Sequence, residues 1–320
     1  MATIQPVVLF FILGVLAGVI KSDLKIPEAL YKSLSIFLLI AIGFKGGVSM
    51  AKYDIMQVLP IAISMVVLSA LVPLLAYPIL KYVGKFSKAD SGAIAAHYGS
   101  VSAVTFAVGL ALLHELNQYY EGYMALIMAL MEIPALVTGT ILARAGAASA
   151  SGEKTPWGKL LHEILTGTSL VLLIGGVFIG YYAGVTDNVA PLDKMYMDLF
   201  MGVLALFLLE MGLLASARLS AVREKGIFLI IFGVAFPVAA AVFGTYVGWW
   251  FELSAGGTML LAVLYASCSY IAAPAAMRIA VPEADPALSI GASLGITFPF
   301  NIFLGVPLYW EMSKWIHNIT

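Results

Sequence analysis

The chain has 320 residues, of which 62% are hydrophobic and only 11% charged, with a mean hydropathy of +0.99 and a formal net charge of −1. Soluble domains carry roughly 25% charged residues, so this composition excludes an ordinary soluble fold. No basic surface is available to meet phosphates, which argues against a nucleic-acid partner. The one cysteine, Cys268, excludes an intramolecular disulfide and a cysteine-based zinc cluster.

Met1–Pro6 carries no positive region, and the apolar run Val7–Ile20 ends in Lys21-Ser22-Asp23 without a small-residue cleavage site. It reads as a retained first helix. Dividing the chain at charged and Gly/Pro-rich breaks gives about ten apolar segments of roughly twenty residues, the length that crosses a bilayer. The first five lie near 5–21, 28–50, 55–80, 89–113 and 120–144. A polar, small-residue linker, 146–159, follows; the other five lie near 160–184, 192–216, 225–250, 256–280 and 285–314. The predicted fold class is an all-α polytopic membrane protein.

Lysine and arginine set the expected orientation. With the N-terminus outside, Lys21, Lys25, Lys32, Lys81, Lys85, Lys88, Arg144, Lys154, Lys159, Arg218, Arg223, Lys225 and Arg278 fall at the inner face. Lys52, Lys194 and Lys314 fall outside, and Lys45 lies within a span. This asymmetry predicts both termini outside and the linker in the cytoplasm. Five spans per half then make the second half, 160–320, enter the membrane in the opposite sense from the first, 1–145. Pro27, Tyr31, Lys45, Gly47 and Gly92 correspond to Leu192, Tyr196, Glu210, Gly212 and Gly257, all 165 residues later, which with the shared span count predicts an inverted repeat.

The fourth segment contains Tyr98-Gly99-Ser100-Val101-Ser102-Ala103-Val104-Thr105, a polar interruption in an apolar run. A spanning helix cannot leave backbone groups bare in hydrocarbon, so this stretch predicts a break that lines a polar cavity. The ninth segment repeats it as Tyr265-Ala266-Ser267-Cys268-Ser269, 167 residues later. Two matched broken helices point to the substrate site of a secondary transporter. Helix ends meeting there would present free N–H groups to a small anion. The hydroxyls of Ser100, Ser102, Thr105, Ser267 and Ser269 can add donors, lend oxygens to sodium, or serve helix packing.

Glu132 lies deep in the fifth segment with Pro134 two residues on, which frees a carbonyl one turn earlier. An acid at this depth reads as an ion ligand, a proton carrier, or a protonated cap on neighbouring backbone. Lys45 and Glu210 suit a buried salt bridge across the repeat axis. Thr297 and Asn301, four apart on one helix face, suit either the same site or interhelical hydrogen bonds. His97 reads as a packing or hydrogen-bonding residue, and Arg278 as an anchor of its helix end. No nucleotide fingerprint, nucleophile elbow or metal-ligand spacing is present, so neither an enzyme nor a bound cofactor is expected.

Several stretches resemble the sodium-dependent bicarbonate transporters of the SbtA type. They are Gly99–Ser102 through Phe106, Ile133–Thr138, Glu210-Met211-Gly212, Ala266–Ser269 with Pro274 and Arg278, and the tail Ile279–Pro307. The resemblance implies two inverted five-helix repeats with crossing broken helices. It implies a core domain near 55–144 and 225–314 and a gate domain near 5–50 and 160–216. It also implies a homotrimer in a bacterial inner membrane and a PII-like regulator on the cytoplasmic face. Carried over, the bicarbonate site falls at Gly99, Ser100, Val101, Ser102, Ser267, Cys268 and Ser269, and the sodium ligands among Thr105, Glu132, Tyr270, Thr297 and Asn301. The chain departs from the pattern where Tyr270 stands for an acid, Ala272 for a serine, Glu132 for an aspartate and Lys45 for an apolar residue. Its central loop is also shorter. The expected function is sodium-coupled import of a small anion, bicarbonate. Alternatives are a proton-coupled carrier of another organic anion, or a channel or sensor for a PII-like partner.

Overall fold

The chain is represented by a computed structural model that describes residues 5–144, 156–224 and 226–318, with the backbone alone for 218–224. Residues 146–155 of the expected linker, and Lys154 and Lys225 of the charge distribution, lie outside the described residues. Every regular element among the described residues is helical. Among the described residues, eight helical stretches are long and apolar enough to cross a membrane. Their outward faces are apolar, with Ile63, Phe178, Val242 and Trp250 exposed, as lipid contact requires.

Helix α1 (Pro6–Val19) is followed by α2 (Glu28–Met50) and α3 (Ile55–Val83). Next come α4 (Lys88–Gly99), α5 (Ala103–Glu115) and α6 (Met124–Arg144). The second half begins with α7 (Trp157–Thr166), then α8 (Thr168–Val185), α9 (Phe200–Glu224) and α10 (Ile227–Trp250). It ends with α11 (Ala255–Ala266), α12 (Ala272–Ala280) and α13 (Pro286–Ile316). The expected single span 160–184 is two helices. Gly167 leaves the helical path (φ −59, ψ 141), so α7 turns aside with Leu160 and Ile164 buried, and the span proper is α8.

Four helices pair in an exchanged manner: α1 packs on α9, and α2 on α8. Glycines at four-residue spacing make both approaches possible. A Cβ on Gly43 would come within 3.0 Å of the Gly176 Cα, and one on Gly47 within 2.7 Å of the Tyr181 amide nitrogen. On the other pair, a Cβ on Gly14 would lie 3.0 Å from the Leu213 nitrogen. Small residues one turn apart let backbones touch, and close packing is a main source of helix attraction in lipid.

The remaining helices surround the two interrupted ones. In its most apolar stretch, 89% of the Lys88–Glu115 segment is buried, against 33% for Ile55–Val83. The interrupted segment is therefore the centre of the bundle and α3 part of its rim. α4 and α11 are each 12 residues long and start alike. Ser87 Oγ accepts the Asp90 N–H at 3.0 Å, and Ser254 Oγ accepts the Gly257 N–H at 3.1 Å. Such caps satisfy otherwise unpaired amides and are each worth about 1 kcal/mol.

Candidate functional site

Both interruptions fall where the serines predicted them. α4 ends at Ser100 (φ −82, ψ 164) and α11 at Ser267 (φ −83, ψ 170), so both helices end on an extended serine. Ser102 is extended and caps α5, its Oγ accepting the Thr105 N–H at 3.2 Å and the Thr105 hydroxyl at 3.0 Å. Ser269 Oγ accepts the Ala273 N–H at 3.1 Å in the first turn of α12.

The interruptions cross and are tied to each other. Ser102 N–H donates to Ser267 Oγ at 2.9 Å, and Ser267 Oγ donates onward to the Leu264 carbonyl at 3.0 Å. Ser269 N–H donates to the His97 carbonyl at 2.9 Å. Ser102 and Tyr270 meet through their hydroxyls at 3.4 Å. Backbone groups released from the helices are thus partly satisfied across the crossing, as a buried break requires. Two helix starts, those of α5 and α12, converge there and favour negative charge.

A cleft of about 350 Å³ opens beside the crossing. Val101, Ser102, Ser269, Tyr270 and Ile271 line it from the interruptions, Met128 and Glu132 from α6. Leu39 of α2 and Ser169 and Leu173 of α8 close it from the opposite side. It continues into a wider cleft of about 520 Å³ that shares Glu132, Ser169, Ile271 and Ala272 and reaches Glu163 on α7. Glu132 is 5% exposed, lines both clefts, and makes no hydrogen bond or ion pair among the described residues. An acid held this way is available to a cation.

The other expected site residues divide. Ser100 Oγ is buried without a partner at the end of α4. Gly99 serves close approach: a Cβ there would lie 2.6 Å from the Pro73 Cδ and 3.0 Å from the Ala135 Cβ. Cys268 turns away from the cleft, its Sγ 3.6 Å from the Ser293 carbonyl of α13. Thr297 and Asn301 do not line the cleft. Thr297 Oγ1 donates to the Gly233 carbonyl at 2.7 Å and lies 2.7 Å from the Tyr98 hydroxyl. Asn301 donates to the Ala266 carbonyl at 3.0 Å and accepts from Tyr309 at 2.6 Å. Both fasten α13 to the ends of the interrupted helices.

The chain from residue 6 to residue 314 matches the family model of the Na+-dependent bicarbonate transporter superfamily. The chain belongs to this superfamily. A separate comparison with curated proteins found no match. Membership fits a multi-pass membrane protein with crossing interrupted helices, and makes transport, with bicarbonate as the family's substrate, the frame for the site.

Within this transporter the expected Lys45–Glu210 salt bridge is not formed. No ion pair joins them among the described residues; Lys45 Nζ instead sits 4.4 Å from the centre of the Phe200 ring, a cation–π contact. The residue holding the end of α12 is Arg144, not Arg278. Its Nε donates to the Ala280 carbonyl at 2.8 Å, while a guanidinium nitrogen lies 3.5 Å from Glu283. Sequence reasoning also missed Ser169, although Gly167-Thr168-Ser169 carries the composition of a helix start. On the opposite face Glu121 accepts both the backbone N–H (2.6 Å) and the hydroxyl (3.1 Å) of Ser254, reinforcing the cap of α11.

Proposed function

We propose that this transporter imports bicarbonate by sodium-coupled alternating access, with the anion at the crossing of the two interrupted helices. The observation that carries this reading is the hydrogen bond between Ser102 N–H and Ser267 Oγ beside a cleft whose one buried carboxylate is Glu132. Two helix starts and the Ser102 and Ser269 hydroxyls that line the cleft face the anion, while Ser100 and Ser267 form the ends of α4 and α11. Glu132 provides the negative charge that draws sodium, with Tyr270 of the same cleft as a neutral oxygen donor and Thr105 behind Ser102. Each ion then raises the affinity for the other, which is the coupling a symporter needs. Thr297 and Asn301 act at one remove, fixing Tyr98 and Ala266 in place.

In the same proposal the halves are inverted repeats that together supply ten spans. The equal lengths and matching serine caps of α4 and α11, and the exchanged packing of α1 with α9 and α2 with α8, support it. α3–α6 and α10–α13 form the moving core; α1, α2, α8 and α9 form the gate, which reaches the cleft through Leu39, Ser169 and Leu173. The inner-membrane location comes from the resemblance, and the charge distribution supports both termini outside. The homotrimer and the PII-like partner come from the resemblance, and the mass of the solubilised protein with and without the partner tests them.

The deciding experiment is uptake of labelled bicarbonate into proteoliposomes, with and without an inward sodium gradient. Accumulation driven by sodium is expected, with Glu132→Gln losing the sodium dependence. Uptake indifferent to sodium in the wild type would overturn the coupling.

A further inference from the structure

A third cavity, of about 390 Å³, lies on the far side of α12 from the cleft. Ala272 and Ala276 of α12 face the widened cleft, whereas Pro274, Met277 and Arg278 face this cavity. Across from them stand Ala93 and His97 of α4, with Ser289 of α13. None of the residues assigned to the transport cleft lines it.

Two groups here are left without partners. His97 is 1% exposed, and its Nδ1 lies 2.8 Å from the Ala93 carbonyl. A carbonyl can only accept, so Nδ1 carries the proton and Nε2 offers a lone pair. That Nε2 is buried with no hydrogen-bond partner. A buried acceptor left unpaired costs about 1–3 kcal/mol, so it invites a donor from whatever fills the space. Arg278 lines the same cavity and makes no hydrogen bond or ion pair among the described residues. Of the acids near it, Asp90 accepts from the Asp285 N–H and from Ser87, Asp285 accepts the Ala287 N–H, and Glu283 pairs with Arg144.

A ligand that satisfies both groups must present a hydroxyl to Nε2 and negative oxygens to the guanidinium. We propose that this cavity is a second binding site for a small oxyanion that keeps one proton, the class to which hydrogencarbonate belongs. Arg278 holds the charged oxygens and His97 Nε2 receives the hydroxyl. The choice of hydrogencarbonate as ligand rests on the proposed function; the site itself does not.

The test is calorimetric titration of the full-length protein in detergent with potassium hydrogencarbonate in sodium-free buffer. Saturable binding is expected, because no carboxylate of this cavity calls for sodium. Arg278→Gln, a change at an exposed residue, and His97→Phe should each weaken it about ten-fold or more, the loss of one hydrogen bond to a charged group. Sulfate, which carries no hydroxyl at neutral pH, should bind about ten-fold more weakly than hydrogencarbonate. Equal binding by wild type and Arg278→Gln, or none by the wild type, overturns the second site. Sodium-free binding that survives while sodium-driven uptake fails would sink the proposed function and leave this site standing.

Discussion

The two helix interruptions share a motif, a spacing and a pair of caps, yet they are built to different tolerances. The first spans Ser100–Ser102 and passes directly into α5, whose residues from Val104 to Ala111 are all buried. The second takes Ser267–Ile271, with Ile271 exposed, and the α12 that follows is short, with Ala275 and Arg278 exposed. One arm is embedded in the bundle; the other stands between two cavities. Their last helical residues differ too. Gly99 is pressed by Pro73 and Ala135, so no side chain fits. Its counterpart Ala266 has a side chain, and its carbonyl is held by Asn301. The lesson is that a repeated motif can fix where two helices break while the surroundings decide which break is rigid.

The strongest way to break this comparison is Asn301→Leu. It strips a partner from the Ala266 carbonyl and from the Tyr309 hydroxyl, both buried. About 1–3 kcal/mol is expected for each orphaned group. Thermal unfolding in detergent should show the largest loss of the set, and uptake should fall with it.

Gly99→Ala should cost about 1–3 kcal/mol through overpacking against Pro73, whereas the reciprocal Ala266→Gly should cost only about 1 kcal/mol, its helix-propensity difference. Equal effects of the two in the same thermal assay would mean that the arms are equally tolerant. Ser102→Ala and Ser269→Ala each remove a cap worth about 1 kcal/mol. Ser102→Ala should be the worse in stability, since Thr105 loses two bonds to that oxygen and Ala273 only one to Ser269. Both should reduce bicarbonate uptake in proteoliposomes about ten-fold while leaving a folded protein. Uptake at the wild-type level from both would remove the anion site from the crossing. The smallest effect belongs to Arg144→Gln. It frees the last turn of α12 at a cost of about 1 kcal/mol or less, visible as faster amide exchange confined to Ala272–Ala280.

Much of this architecture was legible in the residues themselves. Hydropathy marked the spans, because burial in lipid acts on each segment separately. Ser-x-Ser after Tyr marked both breaks, because a hydroxyl that caps a helix start does so within a few residues of itself. Glycine pairs such as Gly43/Gly47 and Gly176/Gly180 also stand in plain view, although their meaning as contact faces emerged only with the partner helix beside them. Lys45 and Glu210 show the limit of offset arithmetic: residues matched by a 165-residue offset need not touch, and Lys45 found Phe200 instead.

The sequence by itself thus determined a membrane protein, two interrupted helices at matched positions, and an acid, Glu132, buried near them. Only the tertiary structure decided that the interruptions cross, that Glu132 faces the cleft, and that Thr297 and Asn301 act as fasteners outside it. It also split α7 from α8 at Gly167 and gave the end of α12 to Arg144. The physical reason is one of range. Hydrophobic burial and helix capping depend on neighbours in sequence, whereas the bond from Ser102 to Ser267 or from Asn301 to Ala266 depends on packing that brings distant segments together.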